Sequence, residues 1–282
     1  MIGPGRHVAA AEVAAHYDDL DRFYREVWGE HVHHGLWLRR GEGRRAAAEN
    51  LVALVAERAG VGPGDRVCDV GCGYGATARW LARERGAVVT ALTISAAQAS
   101  RAVAGGAGDG AVTVLLRDWL DNALPGAAFD AVVAIESTEH MAERERWAAE
   151  MRRVLVPGGR AVICAWLAAP GAAGWRRSRL LEPICREGRL AALATAAETV
   201  RLLEAAGLVV ERAEDLTHGV ARTWSVCLER LAAELVLHRR YRAFLLDRRN
   251  GNRVFAWTLL RMRAAYAVGA LRYGVFTARR PR

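Results

Sequence analysis

Apolar positions along this chain change their spacing repeatedly, and each change marks an element. From Val8 to about Trp28 they recur at helical spacing and break near Gly29. His31 to Trp37 reads as a loop. A second helical run from about Arg44 to Ala59 stops at Gly60 and the turn Gly62-Pro63-Gly64. Short apolar runs then alternate with helical ones. Strands are predicted at 66–70, 87–92, 112–116, 130–135, 161–167, 208–213 and 274–278. Helices are predicted at 75–85, 96–103, 143–155 and 196–206, and the stretch 217–272 reads as largely helical. Residues 105–110, Gly-Gly-Ala-Gly-Asp-Gly, read as a flexible loop.

Strand–helix alternation at this spacing builds βαβ units, and therefore a mostly parallel sheet with helices on both faces. Asp130–Ile135 is apolar throughout after its opening Asp, as in a strand covered on both sides. A length of 282 residues suits one α/β domain with helical additions. A helical lid is expected over 1–64, the strand-rich core over 65–216, and a helical cap with the final strand over 217–282.

Composition narrows the chemistry. All 40 basic residues are Arg, so no catalytic, Schiff-base or phosphate-loop Lys is available. The formal charge of +9 is uneven: residues 220–282 carry 14 Arg against Glu229, Glu234 and Asp247, a balance of +11. Such a tail can meet nucleic acid, an anionic membrane surface or a phosphorylated substrate. Here the Arg residues alternate with helical apolar positions (Leu228, Leu231, Leu235, Leu245), which favours a solvated helical face over a nucleic-acid surface. The five Cys include no CxxC pair, and the N-terminus lacks a basic segment followed by an apolar core. A reducing, cytoplasmic setting is expected. No uncharged apolar stretch of 18 residues exists to span a membrane. His31, His33 and His34 lack further ligands nearby in sequence, so no metal site is expected.

The sharpest motif is Val67-Cys68-Asp69-Val70-Gly71-Cys72-Gly73-Tyr74-Gly75, an apolar strand running into a Gly-rich turn and a helix. Glycines let the backbone turn sharply and approach a ligand, and the helix start offers free N–H groups. An Asp two residues before the first Gly would repel a pyrophosphate. It suits a ligand with a cationic amino group instead.

At this point the chain resembles the class I S-adenosylmethionine (SAM)-dependent methyltransferases, whose motif I looks like DVGCGYG. Four further segments follow in the same order: Ala91–Gln98 (ALTISAAQ), Arg117-Asp118-Trp119, Phe129-Asp130, and Leu155–Gly159 (LVPGG). The Thr-x-Ser-x-x-Gln segment is similar to that of the tocopherol methyltransferases and cyclopropane synthases. So are the opening His16-Tyr17-Asp18…Trp28-Gly29-Glu30-His31…His33-His34-Gly35, the segment Glu136-Ser137-Thr138-Glu139-His140-Met141, and the C-terminal end. The likeness implies a Rossmann-like seven-stranded fold, an N-terminal lid, and a substrate cap over 170–200 and 217–262.

The resemblance also implies roles. Asp69, Gly71, Cys72 and Gly73 would hold the amino-acid end of SAM. Thr93, Ile94 and Gln98 would face the ribose, Asp118 would select adenine, and Trp119 would pack on its ring. Thr93 stands where many relatives place an acid for the ribose hydroxyls. Tyr17 would reach the methionine carboxylate or flank the sulfonium. Glu136 and His140, with Glu139 next, are the candidate bases at the tip of the fourth strand. The expected activity is methylation of a small lipophilic acceptor, with C-methylation of an isoprenoid or phenolic compound first and O- or N-methylation as the alternative. The aromatic residues Trp224, Tyr241, Phe244, Phe255, Trp257 and Tyr266 motivate the lipophilic acceptor.

Overall fold

In the computed structural model, which describes residues 1–106, 110–247, 249 and 251–282, the apolar runs pair into one sheet. Its strands are β1 (Arg66–Val70), β2 (Val88–Thr93), β3 (Val112–Leu116), β4 (Phe129–Ile135), β5 (Leu155–Ala168), β6 (Val209–Asp215) and β7 (Leu271–Arg279). Their order is β3-β2-β1-β4-β5-β7-β6. β7 lies antiparallel to both neighbours, and the other paired strands are parallel. The order reverses between β1 and β4, which opens a crevice at the C-terminal ends of the strands.

Side chains alternate across the sheet with the two-residue period of a strand. Along β4, Ala131, Val133 and Ile135 enter one apolar cluster, and Val132 and Ala134 enter the other. Helices α2 (Arg44–Ala59) and α3 (Ala76–Arg85) cover the first side, and α5 (Arg144–Val154) and α6 (Ala196–Ala205) the second. Between them in sequence, α4 (Ala96–Ala104) follows β2. Each fully buried aliphatic side chain contributes roughly 1.5–3 kcal/mol, so these two layers hold the sheet rigid beneath the crevice.

Three details differ from the sequence expectation. The N-terminal run is not one helix: α1 (Ala10–Asp19) breaks at Leu20, and a π-helical turn covers Tyr24–Trp28. Pro157-Gly158-Gly159 does not end an element. β5 runs through it with a register shift opposite β4, because a bulge accommodates the proline. β7 is longer than 274–278, since its whole length pairs with β5. Of the loop expected at 105–110, residues 107–109 lie outside the described residues.

Lid and cap meet over the crevice. Between β6 and β7 the chain forms α7 (Arg222–Leu237), α8 (Arg239–Leu246) and α9 (Phe255–Ala267). Glu26 of the π-turn accepts from Arg22, Arg240 and Tyr241, and its carbonyl accepts from Arg230. These bonds tie the lid to the cap. Trp224 and Tyr241 of the cap are buried, whereas Trp257 is 62% exposed and belongs to the surface. The side chain of Phe255 lies outside the described residues. No helix among the described residues is long and apolar enough to cross a membrane.

Candidate active site

The crevice holds a cavity of about 260 Å³. Each strand tip supplies part of it: Gly71 and Gly73 after β1, Thr93 and Ile94 at the end of β2, Asp118 and Trp119 after β3, and Glu136 after β4. Val13 and Tyr17 of α1 close it from above. A smaller cavity of about 40 Å³ adjoins it, and Tyr17, Val32, Glu136 and His140 line both.

At the β1 turn, Gly71 has φ +78°, and a Cβ there would sit 2.4 Å from Cβ of Ser137. Ser137 is fixed by its own hydroxyl, which donates to the carbonyl of Val70 at 2.6 Å. Only glycine lets the two strand tips meet so closely. Two expected contacts move. Asp69 and Cys72 are buried beside the cavity and are not part of its wall. Asp69 lies inside β1 below the turn, and Cys72 lies in the turn with its thiol directed toward the carbonyl of Gly73. Asp69 nevertheless keeps Oδ2 buried without a hydrogen-bond partner, and burial pushes its carboxyl up to about 7. A donor or cation delivered at the turn would relieve both.

On the nucleoside side, the Thr93 hydroxyl donates to the Gln98 carbonyl at 2.8 Å, which leaves the Gln98 NH2 for the cavity. Ser95 caps α4 by accepting from the Gln98 N–H, and it donates to Asp18 of α1. The lid helix is thus latched to α4, beside the end of β2. Trp119 is buried, with its indole N–H donating to the carbonyl of Trp147 at 3.1 Å. Asp118 accepts from the Leu120 N–H through Oδ1 and lines the cavity. Asp118→Ala is expected to weaken SAM and S-adenosylhomocysteine equally, by about 1–3 kcal/mol, in calorimetric titrations.

The β4 tip carries the densest polar network. Glu136 has φ +55°, a left-handed turn that only a well-braced non-glycine residue holds. Its carboxylate accepts from the His34 main-chain N–H (2.8 Å), His34 Nδ1 (2.9 Å), the Trp166 indole (2.7 Å) and the Tyr273 hydroxyl (2.7 Å). Trp224 donates to His34 Nε2 at 2.7 Å, so that nitrogen holds the lone pair and Nδ1 carries the hydrogen given to Glu136. Burial pushes the Glu136 carboxyl up, but His34 beside it outweighs this and brings it down to about 2. The residue is a fixed buried anion at the seam of the two cavities.

His140 sits next to it. Its Nδ1 lies 3.0 Å from the carbonyl of Arg189, which itself has φ +56°, and its Nε2 lies 3.0 Å from the Tyr17 hydroxyl. A carbonyl only accepts, so Nδ1 carries the hydrogen and Nε2 accepts from Tyr17. Burial lowers the His140 pKa and raises that of Tyr17, which keeps both neutral. Glu139 faces the smaller cavity rather than the larger one. It accepts from the Trp166 main-chain N–H at 2.6 Å, and burial, with the Glu136 charge nearby, pushes it up to about 8.

Comparison with known proteins settles the family. Residues 6–245 match the model of the mycolic acid cyclopropane synthetase family. The chain belongs to that family of SAM-dependent methyltransferases. It is 30% identical to 27-O-demethylrifamycin SV methyltransferase of Amycolatopsis mediterranei, over 96% of this chain and 97% of that one. It is 27% identical to the chloroplastic tocopherol O-methyltransferase of Arabidopsis thaliana, over 95% of this chain and 82% of the relative. A solved mycolic acid cyclopropane synthase, complexed with SAH and CTAB, shares the fold with a TM-score of 0.85 at 22% identity, covering 96% and 98% of the two chains.

SAM is the cofactor of this methyltransferase, and the site fits it. The unpaired Asp69 oxygen beneath the turn, the glycine cradle at 71 and 73, the Gln98 amide and the Glu136 anion are groups that could meet its ammonium, close backbone approach, ribose and sulfonium in turn. Three parts of the site carried no sequence signal. Trp166 reads as an ordinary strand residue, Tyr273 falls between the helical stretch 217–272 and the strand expected at 274–278, and Arg189 lies in a stretch assigned to no element. Only the pairing of β4, β5 and β7 brings the first two to Glu136.

Proposed function

We propose that this methyltransferase passes the methyl group of SAM from the larger cavity to a lipophilic, hydroxyl-bearing acceptor held in the smaller one. The observation that carries this reading is the pair of adjoining cavities with Tyr17, Glu136 and His140 in their common wall. The first holds the glycine turn. The second is walled by Tyr24, Trp28, Trp166 and Trp224 and has no Arg in its lining, so an uncharged aromatic or isoprenoid body suits it.

When bound, SAM supplies a methyl carbon open to in-line displacement, with the bonding pair leaving on a neutral sulfur. The chain supplies alignment and a destination for the proton. Glu136 balances positive charge at the seam, and its four donors leave it no free position as a base. His140 holds Tyr17 over the seam through its one lone pair. Glu139 is the carboxyl left to accept the hydroxyl proton, and it borders the acceptor cavity.

Incubation with methyl-labelled SAM and candidate acceptors, read by mass spectrometry, tests the reading. Label on oxygen of phenols or macrocyclic alcohols supports it. Label on carbon supports a second reading, C-methylation, which the indole-rich wall favours because aromatic faces stabilise a cationic intermediate. For the base, Glu139→Gln is expected to lower kcat by about 10²–10⁴-fold with SAM affinity kept. The wild-type rate is expected to rise with pH through about 8, as the Glu139 carboxyl ionises between Glu136, His140, Tyr17 and Arg144, and the variant to lose that rise. Wild-type turnover in Glu139→Gln would remove Glu139 from the chemistry.

A further inference from the structure

Glu139 has a second side. Behind it lies a third cavity of about 20 Å³, which Glu139 lines together with Thr138, Arg144, Trp147 and Thr199. Space of this size, above the ~10–15 Å³ one water needs, matters only where polar groups converge. Here they do. Trp147 is 2% exposed, and its indole N–H is buried without an acceptor. The Glu139 carboxyl lacks strong bonds on one side: Oε1 accepts from the Trp166 N–H, while Oε2 has only the Thr138 hydroxyl at 3.4 Å. Arg144 stands at the half-exposed rim. Glu139 is therefore the wall between the acceptor cavity and a polar pocket that opens toward solvent.

We propose that a water in this pocket, held by the Trp147 indole N–H and the Glu139 carboxyl, carries the acceptor's proton out of the active site past Arg144. The proposal rests on the reading of the smaller cavity as the acceptor site. One proton must leave for each methyl group transferred to a neutral hydroxyl. It passes from the acceptor oxygen to the Glu139 carboxylate, from the carboxyl to the water, and from the water to bulk solvent. No electron is exchanged and no further reactant is needed. The indole can only donate, so it orients the water with a lone pair toward Trp147 and leaves the other lone pair for the Glu139 proton. The lid closes the front of the site, so a rear exit lets the proton leave while the acceptor stays enclosed.

Two experiments test it. A crystal structure of the wild-type protein at high resolution is expected to show an ordered water within about 3.2 Å of both Trp147 Nε1 and a Glu139 oxygen. A dry pocket overturns the route whatever the enzyme methylates. The second experiment is kinetic and uses Trp147→Phe, which removes the N–H and keeps most of the packing. Its kcat is expected to fall about tenfold, with SAM and acceptor KM unchanged and a larger solvent deuterium isotope effect on kcat. Unchanged kcat and isotope effect overturn the route. Failure of the acceptor-site reading shows separately, as wild-type turnover in Glu139→Gln. Should Trp147→Phe not fold, the wild-type water decides alone.

Discussion

Glu136→Gln is expected to lower the melting temperature by roughly 10 °C, because the variant turns a fully accepting group into one that points an NH2 at a donor. The carboxylate takes four hydrogen bonds from three separate segments: His34 of the lid loop, Trp166 of β5 and Tyr273 of β7. An amide has one accepting oxygen. Its nitrogen would face either the His34 main-chain N–H with the Tyr273 hydroxyl or the His34 Nδ1 with the Trp166 indole, leaving a buried donor opposed to a donor. Breaking one partner out of such a buried charged network costs about 3–5 kcal/mol. The sign with pH is fixed by the carboxyl standing near 2, below the usual 4.5. Its contribution is complete above about 4.5 and is lost as pH falls toward 2, so the variant's deficit is expected to be largest near neutrality and to shrink in acid. Thermal melts of both proteins from pH 3 to 8 check this. Equal melting temperatures at pH 7 would show that the lid is not anchored through Glu136.

Gly71→Val is expected to abolish measurable SAM binding, a loss of at least about 100-fold, or 2.7 kcal/mol. A β-branched residue at φ +78° is strained by about 1–2 kcal/mol, and its Cβ would overlap Cβ of Ser137 at 2.4 Å. The strand tips must part, and the cofactor cavity between them loses its shape. Gly73→Ala separates the two effects. A Cβ at 73 meets nothing within 4 Å, and Gly73 lines the cavity. That variant carries the strain of φ +54° but no clash, so it is expected to melt only a few degrees below the wild type and still bind SAM poorly, because its methyl enters the ligand's space. Calorimetric titration with SAM, beside melting curves, reads both. Tight binding by either variant would place the cofactor elsewhere.

The alternation of short apolar runs with helical ones was enough to place all seven strands, since the buried strands announce themselves by composition over five or six consecutive residues and the exposed β6 follows a helix at the same spacing. The glycine spacing at 71, 73 and 75 and the segments at 93–98 and 117–119 likewise pointed to much of the wall of the larger cavity, because backbone conformation and helix caps depend on local sequence. The roles of the three acidic and imidazole groups at the β4 tip were not legible in that way. Glu136 looked like the best base, yet its charge is committed to donors that lie 30, 102 and 137 residues away in sequence. Glu139, three residues on, faces a different cavity because a 3-10 turn at Thr138–His140 rotates it away from Glu136. The tautomer of His140 depends on the backbone of Arg189, which no pattern near position 140 encodes. A strand and its turn are decided by neighbours in sequence. The protonation and availability of a buried group are decided by whatever the fold packs against it, and only the tertiary structure brings β4, β5, β7 and the lid loop to one point.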